Sequence, residues 1–446
     1  MPPTDAHAPT ATFNTDSGVR LQITRDQLET ANNALAATHQ RDMDYWRRKM
    51  PHPALEMLLT RLEAFSVAIP SWALGTGGTR FGRFPGPGEP RNIFEKLEDI
   101  AVVHQLTAAA PRVSLHIPWD EPEDALELRG FASHLGLGFD AVNSNTFQDY
   151  DPGGLSYKFG SLCHTDRAVH EQAIAHNVHA IDIGRQLGSD ALTIWLADGS
   201  NFPGQMHLRK SFERVLDGLR TIYAELPPAW QLFTEHKPYE PAFYATVVQD
   251  WGSSLLLCQE LGARAACLVD LGHHLPNTNV ELVVARLIHA RKLGGFHFND
   301  SMYGDDDLTT GSIHPYQLFL VFNELVDATT SGDYARQPAF MIDQSHNLKD
   351  PVEALLQSVD ALQRAYAQAL LVDREALTHY QTVNDVMMAE RTLQAAFHLD
   401  VTPLVAEARR RNSGAIDPIA SFRASGYRRN VVRRRPQVAY TPPGSL

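Results

Sequence analysis

The sequence predicts an α/β chain folded as a (β/α)8 TIM barrel, with an N-terminal helical segment and a C-terminal helical extension. Three observations carry this expectation. Short apolar runs of strand length alternate with longer stretches of helical periodicity along most of the chain. Eight such runs occur, each leading into a helical pattern, which suits a parallel sheet with helices packed outside it. Each run also ends in polar, aromatic or charged residues, the place where barrels of this kind carry their chemistry.

In order, residues 1–62 make an N-terminal region. Up to about Gly18 it is rich in Pro, Thr and Ala and reads as disordered. Leu21 to Leu62 reads as helix, interrupted near Pro51 and Pro53. Residues 63–372 form the barrel, with expected strands Phe65–Ile69, Val113–Ile117, Phe139–Val142, Leu192–Leu196, Gln231–Glu235, Ala266–Asp270, Gly295–Asn299 and Ala339–Asp343. The helical patterns between them include Ala168–Gln186, Met206–Ala224, Phe243–Leu261, Val280–Lys292 and Pro315–Val326, and Asp350–Val372 closes the ring. Residues 373–446 are an extension, helical from Ala376 to Ala408, with a Pro-rich tail from Gln437.

Composition narrows the function. The 446 residues carry a formal net charge of −13, which disfavours sequence-independent binding to nucleic acid. A C-terminal cluster, Arg409, Arg410, Arg411, Arg428, Arg429, Arg433, Arg434 and Arg435, reads as a solvated or subunit-contact face rather than a polyanion site. The start MPPTDAHAPT lacks a secretory pattern, and no apolar run is long enough to span a bilayer. Cys163, Cys258 and Cys267 are few and lack metal-type spacing, which suits a reducing cytoplasm.

The chemistry concentrates around Leu293 to Asp307, LGGFHFNDSMYGDDD. Gly295, His297 and Asn299 alternate with Phe296 and Phe298, the two-residue period of a strand. So many carboxylates in the loop that follows repel one another unless a cation sits among them. Glu235, Asp270, His297 and Asp343 stand at four expected strand ends, spaced by about one strand and helix each. In a barrel they converge, and three carboxylates with one imidazole suit Mn²⁺, Mg²⁺ or Co²⁺. His273, three residues after Asp270, and Asp305 and Asp307 from the acidic loop can grip a neighbouring ion; Asp306 should point away, and His274 reads as a packed or supporting histidine.

Lys237 shares a strand face with Glu235 and could polarise a substrate oxygen or pair with a ligand carboxylate. Trp72, Phe81, Trp119 and Trp195, near strand ends, could line the C–H face of a sugar. The loop Gly75-Thr76-Gly77-Gly78-Thr79-Arg80 fits neither the dinucleotide nor the P-loop pattern and reads as a lid or subunit contact.

PSWALGTGGTRFGRFPGPGEPR, VSLHIPWD, DGSNFPGQ, EHKPYEPAFY, VQDWG, CLVDLGHHLPNTN, GGFHFNDSMYGDDD and MIDQSHN together resemble bacterial L-rhamnose isomerases of broad specificity. The resemblance runs in collinear order from about Val67 to Tyr427. It implies a xylose isomerase-like barrel, a homotetramer, and interconversion of aldoses and ketoses with two divalent ions, commonly Mn²⁺. Carried over by motif, Glu235, Asp270, His297 and Asp343 resemble the ligands of a structural, substrate-docking metal, and His273, Asp305 and Asp307 those of a catalytic one. Lys237 and His116 resemble substrate-contacting residues, and Phe81 resembles a residue that a neighbouring subunit lends to the pocket. Met302, where a basic residue is expected, and Pro238 depart from the pattern and bear on fine specificity.

The expected reaction moves a hydrogen between C1 and C2. A hydride shift, or an enediol route with Asp343 as base, both fit, and His116 is the candidate for helping to open the sugar ring. A metal-dependent phosphodiesterase on the same barrel is the alternative, disfavoured by the acidic charge and the absence of a basic mouth.

Overall fold

A computed structural model describes residues 19–75, 84, 86–146, 148–149, 153–334, 337–345 and 348–435, together with the backbone of 13–14. The expected disordered tip, the tail from Gln437 and Phe81 lie outside the described side chains.

The strands of the barrel are β1 (Ala68–Pro70), β2 (Arg112–Ser114 and His116–Ile117), β3 (Gly138–Phe139 and Val142–Ser144) and β4 (Ala191–Leu196). They continue as β5 (Gln231–His236), β6 (Ala265–Asp270), β7 (Leu293–Phe298) and β8 (Ala339–Ile342). Every neighbouring pair is parallel, and β8 returns to β1 through Met341 opposite Ala68. The two pieces of β2 pair separately with the two pieces of β3, Val113 against Phe139 and His116 against Asn143, and this closes the ring. The barrel expected from the sequence is the fold of the chain.

Strand boundaries moved where strands are short. The first begins at Ala68 because Phe65 turns outward onto Phe322, Phe340 and Tyr366. The third breaks at Asp140 and Ala141, so its mouth half runs to Ser144 rather than ending at Val142. Asn299 falls just past β7, where the Asp343 amide donates to the Phe298 carbonyl instead (2.9 Å).

Helices outside the ring follow each strand: α3 (Ile93–Thr107), α4 (Ala125–His134), α5 (Arg167–Leu187), α6 (Leu208–Glu225), α7 (Trp251–Leu261), α8 (Val280–His289), α9 (Pro315–Ser331) and α10 (Pro351–Leu370). The outward residues of β7 show how the layers join. Phe296 and Phe298 are fully buried, and Phe298 stacks on Phe322 of α9. Before the barrel, α1 (Arg25–Lys49) starts on a capping box, Thr24 with Gln27, and α2 (His52–Glu63) starts after Pro51, where a missing N–H costs nothing. No helix among the described residues is long and apolar enough to cross a membrane.

The C-terminal arginines, expected as a solvated or subunit-contact face, are exposed at Arg410, Arg411, Arg429, Arg433 and Arg434, but several of the cluster are also paired within the chain. Arg409 binds Asp360 and Gln363, Arg411 binds Glu56, Glu63 and Glu407, and Arg428 binds Asp350. Arg435 is buried against Glu98 and Asp99. Glu56 and Glu63 lie on α2, Glu98 and Asp99 on α3, Asp360 on α10 and Asp350 just before α10, while Glu407 belongs to the extension itself, so charge fastens the extension to both the N-terminal helices and the barrel. A one-dimensional reading sees the run of arginines and not the carboxylates that meet it.

Candidate active site

Barrel register gathers the predicted ligands. Asp270 at the end of β6 lies directly opposite His297 of β7, and Glu235 lies one strand further round, opposite Leu268. Asp343 follows β8. Glu235, Asp270, His297 and Asp343 each offer a ligand atom within 4.8 Å of the others, the one such group of three or more among the described residues. His297 Nδ1 stands 3.1 Å from Glu235 Oε1, 3.2 Å from Asp343 Oδ2 and 3.8 Å from Asp270 Oδ2. Trp72 holds the other Asp343 oxygen, its indole N–H donating at 2.7 Å.

The second predicted set adjoins the first. His273 Nε2 lies 2.9 Å from Asp305 Oδ1, and its Nδ1 donates to the His236 carbonyl at 2.9 Å. Glu235 Oε1 is 3.3 Å from that same Nδ1, so this one oxygen faces both histidines. Asp307 accepts from the Ser345 hydroxyl (2.9 Å) and lines the same pocket. Asp305 and Asp307 both adopt left-handed backbone, at φ 56° and 49°, an uncommon conformation for a non-glycine residue. Asp306 turns away and accepts from the Met302 and Tyr303 amides, and Asp300 accepts from the Ile313 and His314 amides. Lys237 is buried, ion-paired with Asp305, 3.4 Å from Glu240 and over the Trp195 ring.

The electrostatics are those of excess buried negative charge. Burial pushes Asp270 up to about 7, and the neighbouring Asp343 and Glu235 add to the shift. His297 would be depressed by burial, yet Glu235 and Asp343 raise it well above the ordinary imidazole value. His273 is raised in the same way to about 9, by Asp270 and Asp305 against burial. Both shifts have the same cause: the surrounding carboxylates favour positive charge at this spot. The fit to a metal rests on a further observation: Asp270 Oδ2 is buried in the cluster with no hydrogen-bond partner, a costly state for a carboxylate oxygen unless a cation meets it. A hard, oxygen-rich set with one imidazole nitrogen suits a divalent ion of the Mg²⁺ or Mn²⁺ kind.

Around this floor stands an aromatic wall. Trp119 stacks on His116 with ring centroids 4.1 Å apart, and Trp72 meets His116 edge-on at 5.3 Å. Trp72, His116, Trp119 and Trp195 line a pocket together with Glu235, His273, His297, Asp305, Asp307 and Asp343. Asn143, Gln148 and Ser345 complete the lining. Asn143 and Ser345 stand at strand ends and are legible by position, but Gln148 lies in a loop without any motif to mark it. The structure brings together every predicted site residue it describes, although Lys237 faces Asp305 rather than the cavity.

A sequence profile of the xylose isomerase-like TIM barrel family matches residues 103–321. A probable sugar isomerase of Rhizobium meliloti (strain 1021) is 61% identical over 385 residues, 86% of this chain and 90% of the relative. A probable sugar isomerase of Mesorhizobium japonicum is 61% identical over the same length, covering 89% of the relative. The fold is also shared with an L-ribulose 3-epimerase structure (TM-score 0.51, 17% identity, 69% of this chain and 98% of that one). A D-allulose 3-epimerase from Methylomonas sp. in complex with D-allulose is similar as well (TM-score 0.51, 12% identity, 68% and 97%). With identity this high across most of its length, the chain belongs to the xylose isomerase-like TIM barrel family and is a homologue of its probable sugar isomerases.

Proposed function

We propose that the chain is a metal-dependent aldose–ketose isomerase, an L-rhamnose isomerase converting L-rhamnose to L-rhamnulose and acting also on D-allose, L-mannose and L-lyxose. The observation that carries this reading is the buried Glu235, Asp270, His297 and Asp343 group beneath an aromatic wall. Its relatives' description as probable sugar isomerases supports the reaction class, and the resemblance of its motifs supports the sugar.

Glu235, Asp270, His297 and Asp343 would hold one ion and His273, Asp305 and Asp307 a second, with Glu235 the carboxylate facing both sets. Divalent ions, Mn²⁺ first and Co²⁺ or Mg²⁺ next, supply the positive charge that stabilises oxygen as a hydrogen moves between C1 and C2. Trp72, Trp119 and Trp195 offer apolar faces to the C–H face of the sugar and exclude water from it. Asp343, oriented by the Trp72 indole and by His297, is our candidate base at C2. Lys237 pairs with the Asp305 carboxylate and orients it. A phosphodiester reading has less support, since the described lining residues include no arginine or lysine to add to the metal ions in holding a phosphate. The test is a panel of aldoses, ketoses and a phosphodiester, assayed after EDTA stripping and Mn²⁺ readdition. Aldose–ketose conversion restored by Mn²⁺ is expected; ester hydrolysis without isomerisation overturns the reading.

A further inference from the structure

His116 sits in this pocket under an unusual constraint. Its Nδ1 is 3.2 Å from Asn145 Nδ2, and both residues are buried at the mouth of β2 and β3. Asn145 stands two residues beyond Asn143, on the same face, and its backbone N–H reaches the Ile117 carbonyl at 3.4 Å. With its amide nitrogen turned toward the ring, Asn145 donates and Nδ1 offers its lone pair, so the single proton of a neutral imidazole then sits on Nε2. An asparagine at Nδ1 imposes this tautomer in the same way when it replaces the aspartate of a Ser-His-Asp triad.

We propose that Asn145 is a positioning residue that fixes His116 as a neutral Nε2–H imidazole, so that His116 serves the sugar as a hydrogen-bond donor and not as the base or acid that opens its ring. The proposal rests on the isomerase reading for its substrate. With no lone pair on Nε2, His116 cannot accept a hydroxyl proton from the sugar. The imidazolium is disfavoured as well: burial pulls His116 down to about 3, with Asp343, just after β8, and the Ile117 backbone opposing and His176 of α5 and His297 of β7 adding to the fall. Trp119 stacked on one face and Trp72 and Trp195 at the edges hold the ring plane, so the donor has a fixed direction. Proton transfer during ring opening then falls to another group of the site, and His116 contributes affinity and anomer selection.

The experiment combines neutron diffraction from deuterium-exchanged, Mg²⁺-loaded enzyme with kinetics on L-rhamnose. Deuterium on Nε2 of His116 and none on Nδ1 is expected; deuterium on Nδ1 overturns the proposal. In kinetics, His116→Gln, which keeps a donor near Nε2, should recover at least about tenfold in kcat/KM over His116→Leu. Equal losses in the two variants, as a proton-transfer role requires, overturn it. Asn145→Asp should add to the pH profile of kcat/KM an ionisation between about pH 6 and 8 that the parent lacks; an unchanged profile removes Asn145 from its role. Failure of the parent to convert any aldose defeats the isomerase reading, and the neutron map still decides the tautomer.

Discussion

At the scale of single residues, the site separates groups held by strands from groups held by a loop. Glu235, Asp270 and His297 belong to β5, β6 and β7, while Asp305 and Asp307 ride on left-handed backbone in the acidic loop. Asparagine tolerates that backbone, so Asp305→Asn with Asp307→Asn should fold normally. If these two carboxylates act mainly in the transition state, kcat should fall on the order of a hundredfold or more while sugar still binds. A Michaelis curve and a binding titration of the double variant check this, and near-parental kcat would remove the second-metal assignment. Lys96 is a residue of another kind. It is buried on α3 and pairs with Asp120, which also accepts from Ser71, so it ties the β1 and β2 mouths together. Lys96→Ala leaves the part-buried Asp120 carboxylate with the Ser71 hydroxyl but without its cation and should cost about 1–3 kcal/mol in guanidinium unfolding.

Glu235, Asp270, His297 and Asp343 were legible because each is a chemically distinctive side chain at a strand end, and His273, Asp305 and Asp307 because they stand in the motifs that follow two of those ends. Asn145 was not, since an asparagine in the run Asn143-Ser144-Asn145-Thr146 has no chemistry of its own until His116 comes beside it. Gln148 was silent for the same reason.

At the scale of elements, β4 to β7 are continuous six-residue strands buried along almost their whole length, and their apolar runs announce them. β1, β2 and β3 survive as pieces of two or three residues, too short for periodicity to fix their ends. Packing decides them instead. The same pressure explains the glycines that open β7. A Cβ on Gly294 would stand 2.6 Å from Phe233 Cδ1 and 2.9 Å from Ala266 Cβ. Gly294→Ala should therefore destabilise by about 1–3 kcal/mol, read as a lowered thermal midpoint. An unchanged midpoint would mean that the barrel floor yields more easily than these distances imply.

At the scale of the whole molecule, charge fixes the extension to its surroundings, and acid should loosen its contact with α1. Burial raises the Glu407 carboxyl, but His39, Arg410 and Arg411 outweigh it and hold the group well below the usual range. A depressed carboxylate contributes stability above its unfolded value, near pH 4.3, and loses it as pH falls toward the folded value. Thermal midpoints of the parent should drop more steeply below about pH 4.5 than those of Glu407→Gln. Parallel curves would remove Glu407 from that role.

The mouth of the barrel raises a second question of assembly. Every βα loop except that after β2 exposes a large apolar side chain, among them Phe84, Phe159, Phe202, Phe243, Leu275, Tyr303 and Leu348. Apolar side chains on so many loops of the catalytic face suit burial against another copy, and we expect a homotetramer by light scattering; an active monomer would contradict it.

The central claim is that the His and carboxylate cluster works with a divalent metal to interconvert an aldose and a ketose. It is tested most directly by assaying L-rhamnose conversion in protein stripped by EDTA, verified metal-free by elemental analysis, and then returned to Mn²⁺. The account predicts loss of L-rhamnulose formation on stripping and its return with Mn²⁺. Full turnover in the metal-free protein would contradict it.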